Sequence, residues 1–325
     1  MIAQRRRAVQ SSPHGAARAR DRPTDLNDDL ACNDLLAQSR YAYAQSAAAD
    51  GDWQAAADLL EQALERTPRW PPALFALGEA REKLGDAKGA IASFRAALSA
   101  DPADRLGAAA RLALIKGEPA RALPRAYLAR LFDEYAPRFD RHLVEELGYC
   151  GPARLAAAID AAAPGRHFVR AVDIGCGTGL CGEPLRARVA RLEGVDLSPA
   201  MLARARKRGL YDALAAADAV EHLRGFAAVF DLAVAADALI YFGDLEPIFA
   251  AAAAALVPGG LFAFTVETFA GEGFRLGATM RFAHSPAYVE AAAAAARLRP
   301  LLVESASIRR EAGVGAPGLI AVFAR

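Results

Sequence analysis

The sequence predicts an α/β domain with a doubly wound, mainly parallel sheet, preceded by an all-α repeat domain. Three observations support this prediction. Residues recur at a spacing of 34 between positions 51 and 102, short apolar runs alternate with Ala/Arg/Leu-rich helical segments from residue 169 onward, and the first apolar run leads directly into a glycine-rich segment. At 325 residues the chain is long enough for two domains that each bury a core.

Composition and charge exclude several classes of function. The chain carries 39 basic and 38 acidic residues, so its net charge of +1 creates no field that would attract nucleic acid or an anionic membrane. No apolar run reaches the length of a membrane span. The four cysteines (Cys32, Cys150, Cys176 and Cys181) are too scattered for a disulfide framework or a zinc site. We therefore predict reduced thiols, no metal, no nucleic-acid or membrane partner, and a cytoplasmic location.

Residues 1–24 form an arginine-rich N-terminal segment that begins with Arg5, Arg6 and Arg7. The segment lacks the apolar stretch that a secretory signal needs. We predict a disordered basic tail, with a transit peptide as the alternative because acidic residues are few.

An internal repeat fills the next part of the chain. Gly51–Asp52 recurs as Gly85–Asp86, and Pro68 recurs as Pro102, at the same offset of 34 residues. This is the length of a tetratricopeptide helix–turn–helix unit. We predict a tetratricopeptide-like domain over residues 25–118, with repeats at 37–70 and 71–104 and a degenerate capping helix at 106–115.

Two repeats are marginal by themselves, because each unit buries its apolar face only against a neighbour. They need support from the helices that follow or from another subunit. Two interpretations stay open: a concave surface that binds a protein partner, or a segment that serves as a stabilising appendage or a dimer contact.

The sequence of residues 119–165 predicts a helical connector. It contains an aromatic cluster that includes Tyr135 and Phe139, and His142 follows three residues after Phe139. Pro164–Gly165 then ends the helical sequence. From there to residue 325 the pattern predicts strands separated by helices, which indicates a parallel sheet covered on both faces. The glycine-rich loop 312–318 joins the last two predicted strands in a hairpin, which makes the end of the sheet antiparallel. The predicted strands are 169–174, 192–197, 213–217, 231–235, 261–267, 301–309 and 319–323.

The segment 172–179 carries the main chemical signal. Asp173 stands at the end of a buried strand, and the glycines that follow let the backbone turn tightly and approach a ligand. About twenty residues further, Asp196 ends the second strand, where its carboxylate can accept two hydrogen bonds from ribose hydroxyls. Both positions lie at the switch point of an open α/β sheet, where ligands bind.

Two cofactor classes use this arrangement. A dinucleotide site has the pattern GxGxxG, which fails when counted from Gly175 and succeeds only when counted from Gly177. Asp173 favours the other class, because a carboxylate two residues before the first glycine attracts a cationic ammonium and repels a pyrophosphate.

The segments 173–179 and 194–198 resemble the first and second motifs of the class I S-adenosylmethionine-dependent methyltransferases. Further points of resemblance are residues 217–219, 230–232 and 257–261. The repeats, together with segments 131–143 and 281–285, are similar to a bacterial group of these enzymes that carries N-terminal tetratricopeptide repeats. The resemblance implies a Rossmann-like seven-stranded sheet with an antiparallel last strand over residues 166–325, the cofactor S-adenosylmethionine, and an activity in class EC 2.1.1.

The resemblance also implies contacts for each part of the cofactor. Asp173 helps to hold the amino group and Asp196 binds the ribose hydroxyls. The glycine segment lies against the cofactor through Gly175, Cys176, Gly177 and Gly179. The resemblance places Leu197 and Met201 on either side of the adenine, and Asp218 and Ala219 where they recognise it. It places Ala236 and Asp237 at the methionine end.

The methyl acceptor is expected where the fold opens, with residues 119–165 as a lid over the cofactor. The candidates for catalysis are His142, Tyr241 and His284, and those for substrate contact are Tyr135, Phe139, Arg281 and Tyr288. We expect methyl transfer to an O or N atom of a small-molecule or protein acceptor. The alternatives are an NAD(P)-dependent oxidoreductase and a repeat scaffold whose methyltransferase-like domain has no turnover.

Overall fold

The computed structural model describes residues 30–307, 310–311 and 314–325. The predicted basic tail over residues 1–24 lies outside the described residues. The repeat region consists of two helix pairs and a fifth helix, namely α1 (Leu35–Ala49), α2 (Trp53–Arg66), α3 (Pro71–Lys83), α4 (Ala87–Ala100) and α5 (Ala108–Lys116).

The two helix pairs have equivalent backbone features 34 residues apart. Asp52 and Asp86 cap the second helix of each pair, each accepting a hydrogen bond from the N–H three residues on. The glycines before them, Gly51 and Gly85, have φ of 81° and 80°, a left-handed conformation that suits glycine. Phe94 is fully buried, and a Cβ atom on Gly78 would come within 2.7 Å of its ring. The glycine therefore permits the close approach of α3 and α4.

A connector of mixed helical type leads to the sheet. It begins with α6 (Arg125–Tyr135) and continues through a 3₁₀ turn (Ala136–Arg138) and a π-helical segment (Arg141–Glu146) to α7 (Gly151–Ala162). A Cβ atom on Gly107, just before α5, would lie 3.0 Å from the Tyr127 ring, so the repeats contact α6. Ala110, Leu128 and Phe282 share one apolar cluster, which joins the repeats and the connector to the α/β domain.

The α/β domain is built on one twisted sheet flanked by helices. Its strands are β1 (Phe168–Ile174), β2 (Val189–Asp196), β3 (Ala213–Ala216), β4 (Phe230–Ala235), β5 (Leu256–Thr268), β6 (Phe274–Leu276), β7 (Phe282–His284), β8 (Arg299–Ala306) and β11 (Gly318–Ala324); β9 (Arg310–Glu311) and β10 (Val314–Gly315) form a separate small ribbon. The helices are α8 (Gly182–Leu185), α9 (Pro199–Arg208), α10 (Ala219–Arg224), α11 (Glu246–Ala255) and α12 (Pro286–Ala295), with 3₁₀ turns at Arg186–Arg188 and Leu239–Tyr241.

The strand order is β3-β2-β1-β4-β5-β11-β8. The first five strands are parallel, and β11 is antiparallel to both β5 and β8. The order reverses between β1 and β4, which puts the switch point at the carboxyl ends of those strands. The predicted doubly wound sheet with a reversed last strand is confirmed.

The largest differences from the sequence prediction lie in and around β5. The insertion after β5 contains β6 and β7, and β7 adds to β5, so the sheet formed by the described residues has nine strands instead of seven. These strands are only three residues long, too short for an alternating pattern to identify them. Strand β5 also starts at Leu256, five residues earlier than predicted, because the Pro258–Gly259–Gly260 segment is an irregular part of the strand and not a turn.

Both faces of the sheet are buried. Val172 packs on one face with residues of α10, α11 and α12, while its neighbour Ala171 packs on the other with residues of α7 and α8. Such alternation along a strand covered on both sides explains the near-continuous apolar runs in the sequence. No helix within the described ranges has both the length and the apolar character to cross a bilayer.

Candidate active site

A cavity of about 780 Å³ lies at the carboxyl ends of β1, β2 and β4. Its volume is in the range of small-molecule pockets, roughly 300–1,000 Å³. The walls come from the glycine segment after β1, from the residues after β2 and β4, and from the connector, which lies over the opening. The lid residues predicted from sequence therefore line the same space as the predicted cofactor residues.

The glycine segment bends sharply over the end of β2. The N–H groups of Gly175 and Cys176 both donate to Val195 O, at 2.8 and 3.1 Å. Gly175 has a φ of 66°, and a Cβ atom there would lie 2.6 Å from Ala238 Cβ. A larger residue would push this backbone away from the cavity wall.

Asp173 is buried beneath the glycine segment. Its Oδ2 accepts a hydrogen bond of 2.6 Å from the Tyr211 hydroxyl. Burial raises the pKa of Asp173 to about 7, and the hydrogen bond from Tyr211 opposes that rise. Tyr211 was not predicted from the sequence, because it lies 38 residues from its partner in the turn before β3.

Asp196 ends β2 and lines the cavity. Its Oδ2 accepts from Gly177 N at 2.9 Å, and its Oδ1 accepts from Ser198 N at 2.8 Å. Burial raises the pKa of Asp196, and these backbone donors oppose the rise. Each carboxylate oxygen keeps a further lone pair, so the side chain can still accept hydrogen bonds from a ligand.

All of the predicted cofactor residues except Gly179 line the cavity. Asp218 caps α10 by accepting from Glu221 N at 3.0 Å, and its other oxygen pairs with Arg125 Nε at 3.0 Å. Asp237 has a left-handed φ of 58° and donates its N–H to Thr265 Oγ1 at 2.8 Å. Those that line the cavity are Asp173, Gly175, Cys176, Gly177, Asp196, Leu197, Met201, Asp218, Ala219, Ala236 and Asp237. Gly179 does not line it, since it packs on Tyr211 behind the segment.

Of the residues predicted for catalysis and substrate contact, some line the cavity and others do not. Tyr135, Phe139, His142, Tyr241 and Arg281 line the cavity. The Phe132 ring connects two parts of this wall, because it lies 5.2 Å from the Tyr241 ring and 6.4 Å from the Phe139 ring, measured between centroids. The wall is therefore aromatic, with polar groups among the rings.

His284 and Tyr288 lie outside the cavity, behind its wall. His284 is fully buried, and its Nε2 lies 2.8 Å from Phe242 O and 3.1 Å from Gly243 O. Burial lowers the pKa of His284 to about 4, so the ring is neutral and donates to these carbonyls. The Tyr288 hydroxyl accepts from Leu245 N at 2.9 Å and donates to Asp244 Oδ1 at 3.2 Å. Both side chains hold the loop after β4 in place.

Two aspartates of the connector hold the lid to the α/β domain. Asp140 accepts a hydrogen bond from Thr178 Oγ1 of the glycine segment and pairs with Arg208 Nη2 at 2.8 Å. Asp133 accepts from Ser198 Oγ and from Ala200 N at the start of α9. Sequence reasoning missed both, because each partner lies more than 35 residues away along the chain.

Replacing Asp140 tests whether this connection supports the cofactor site. We expect Asp140→Ala to weaken binding of S-adenosylhomocysteine about fivefold in calorimetry, since a partly exposed ion pair contributes about 1 kcal/mol. Glu145→Gln, an exposed carboxylate of the same connector, is the control. Equal affinity in wild type and Asp140→Ala would contradict a role of this connection in cofactor binding.

Two family models match different parts of the chain. A family model described as a methyltransferase domain matches residues 171–260, and one described as a tetratricopeptide repeat matches residues 47–114. The malonyl-[acyl-carrier protein] O-methyltransferase of Enterobacter lignolyticus is 33% identical over 138 residues, which is 42% of this chain and 52% of that protein. Human methyltransferase-like protein 27 is 40% identical over 85 residues, which is 26% of this chain and 34% of that protein. The chain thus spans about half or less of these relatives' length.

Among solved structures, the [4+2]-cyclase SpnF superposes with a TM-score of 0.50 and 19% identity, covering 61% of this chain and 94% of that one. At this identity the likeness shows the fold alone.

A sheet of this order with a reversed last strand, a glycine segment after β1 and an acid after β2 defines a class I S-adenosylmethionine-dependent methyltransferase domain. S-adenosylmethionine is the cofactor of that class. The chain thus contains a class I methyltransferase domain preceded by tetratricopeptide repeats, as predicted.

Proposed function

We propose that this protein transfers a methyl group from S-adenosylmethionine to an O or N atom of a small-molecule or protein acceptor. One observation carries the proposal: a single cavity joins the residues after β1, β2 and β4 to the aromatic lid. The cofactor, when bound, supplies a methyl group on a positively charged sulfur, so the protein mainly has to position the acceptor and exclude water.

The residues around the cavity fit the parts of this cofactor. The buried carboxylate of Asp173 suits its ammonium group, and Asp196 suits its ribose hydroxyls. The glycine segment offers a surface without side chains at Gly175 and Gly177, and Gly179 supports it from behind. The same assignment gives Leu197, Met201, Asp218 and Ala219 to the adenine, and Ala236 and Asp237 to the methionine end.

The acceptor would occupy the lid side of the cavity, against Tyr135, Phe139, His142, Tyr241 and Arg281. Several relatives bear the name O-methyltransferase, which favours an oxygen acceptor. The burial of His284 and Tyr288 behind the wall favours a supporting role for both.

The repeats support a second part of the proposal. Tetratricopeptide repeats are typical of protein-binding surfaces, which favours a protein acceptor or partner. Their contact with α6 through Gly107 and Tyr127 also supports a role in holding the lid.

Calorimetry separates the proposal from its alternatives. Full-length protein should release or absorb heat with S-adenosylhomocysteine and give no signal with NADH, because Asp173 attracts an ammonium and repels a pyrophosphate. Binding of NADH alone would favour the oxidoreductase. Incubation of a cell extract with methyl-labelled cofactor should then label a product, and binding without any labelled product would favour the scaffold.

A further inference from the structure

Three side chains of the lid form a chain of proton-exchanging groups. Tyr135 ends α6, and its hydroxyl is hydrogen-bonded to Nδ1 of His142. On the other side of the imidazole, Nε2 lies 3.8 Å from Glu146 Oε2. The negative charge on that side favours the tautomer with its proton on Nε2, in which Nδ1 accepts the hydrogen bond from the phenol.

The backbone that carries His142 and Glu146 has an unusual conformation. Residues Arg141–Glu146 form a π-helical segment, in which Leu147 N donates to His142 O. Such turns are rare and occur frequently at functional sites. The segment brings His142 and Glu146 to the same side of the lid, as their 3.8 Å separation shows.

These three side chains extend from the cavity to solvent. Tyr135 and His142 line the cavity together with Gly175 and Asp237. Glu146, at the other end, is 58% exposed. The His142 side chain is itself 39% exposed, so a proton taken up inside the cavity can pass through Tyr135 and His142 to bulk water, with Glu146 beside the imidazole as a counter-charge.

The charges around Tyr135 suit a phenol that exchanges a proton. Burial raises the pKa of Tyr135 and Glu146 raises it further, while the cations of Arg281 and Arg138 lower it. The Arg138 guanidinium lies over the Tyr135 ring at 5.6 Å from its centroid. The phenol is thus neutral at rest, and two nearby cations favour negative charge that develops on its oxygen.

Given the proposed methyl transfer, we propose that Tyr135, His142 and Glu146 form a proton relay that deprotonates the acceptor, which is therefore a hydroxyl or an amine. The acceptor atom forms its bond to the methyl carbon while the S–CH₃ electron pair stays on sulfur. Its proton passes to Tyr135 Oη as the phenol proton moves to His142 Nδ1, and the imidazolium is stabilised by Glu146 until it loses a proton to water. A carboxylate acceptor needs no such relay, because it is already ionised at neutral pH.

The first test observes the relay directly. We would label tyrosine Cζ with ¹³C in the full-length protein bound to S-adenosylhomocysteine and follow the eight tyrosines by NMR across pH. The Tyr135 signal is the one absent from Tyr135→Phe. It should shift in His142→Gln and stay in place in His222→Gln, which changes a half-buried histidine of α10. An identical Tyr135 titration in wild type and His142→Gln would overturn the relay.

The second test identifies the acceptor class. The probe is methyl-tritiated cofactor with a whole cell extract, whose small molecules and proteins are separated after the reaction and analysed for label. We expect label that resists mild alkali, as N-methyl and ether products do, and a loss of incorporation of about 100-fold or more in Tyr135→Phe and His142→Gln. His222→Gln, at a half-buried histidine of α10 outside the cavity, should keep full incorporation. Label released as methanol would indicate a methyl ester and overturn the proposal.

The relay and the proposed function fail in different ways. Absence of S-adenosylhomocysteine binding in calorimetry would contradict the proposed function. Normal binding with a Tyr135 signal that ignores His142 would contradict the relay alone.

Discussion

Asp196→Ala is expected to weaken binding of S-adenosylhomocysteine about 100-fold, which corresponds to about 2.7 kcal/mol. Under the proposed function the variant loses hydrogen bonds from ribose hydroxyls to a carboxylate, each contributing roughly 1.5–3 kcal/mol. It also loses the acceptor for Gly177 N, which helps to fix the glycine segment. Calorimetry on the full-length protein measures the change.

The control for this experiment is Asp58→Asn, at an exposed carboxylate of α2 that faces no part of the cavity. It should bind with wild-type affinity. Thermal melting of Asp196→Ala without ligand checks that the domain is folded. A folded Asp196→Ala with less than a fivefold loss would remove Asp196 from the cofactor site.

Asp173 should make cofactor affinity depend on pH. Its pKa is raised to about 7, so the carboxyl is protonated below that pH and charged above it. Because the ammonium of the ligand pairs with the charged form, affinity for S-adenosylhomocysteine should fall as pH decreases, by about tenfold per pH unit below 7 in the limiting case. Asp173→Asn should lower affinity at pH 8 and remove this dependence.

Tyr211→Phe provides a second readout for the same group. The Tyr211 hydroxyl donates to the Asp173 carboxylate and lowers its pKa, so its removal should move the midpoint of the affinity profile to higher pH. A profile that is flat between pH 6 and 8 in wild type, or one that Asp173→Asn leaves unchanged, would show that Asp173 does not pair with the ligand.

The stability of the ligand-free protein should change in the opposite direction. The folded state binds the Asp173 proton more tightly than the unfolded chain, in which the pKa is near 3.8. The free energy of unfolding should therefore decrease as pH rises from about 4 through 7. Asp173→Asn should flatten this decrease and be more stable than wild type at pH 8, although it binds the cofactor less well. Under the proposed function, the charge that binds the ligand therefore destabilises the ligand-free protein.

Much of the architecture could be predicted because its determinants are local. The 34-residue spacing predicted the helix pairs, since the Asp52 and Asp86 caps and their preceding glycines act within a single turn. Apolar runs predicted the main strands, since both faces of the sheet are buried. The short strands β6 and β7 were missed because three residues carry no periodic signal.

Part of the cavity wall was predictable because its residues end or directly follow a strand. Asp173, Gly175 and Asp196 end or follow β1 and β2, and parallel strands bring their carboxyl ends to one edge, where all three line the cavity. His284 had the same chemical appearance as His142 in the sequence. The structure places His284 behind the wall and His142 on it, because the loop after β4 covers the first and the connector presents the second.

The sequence alone determined the repeat domain, the sheet that follows it and the class of cofactor, because helix period, strand order and the glycine segment are encoded within short stretches of chain. Only the tertiary structure decided which side chains meet around the cavity. Tyr211 beneath Asp173, Asp140 on Thr178 and Tyr135 against His142 are contacts of packed elements. Such contacts depend on how helices and strands are oriented in space, and no local pattern of residues specifies that orientation.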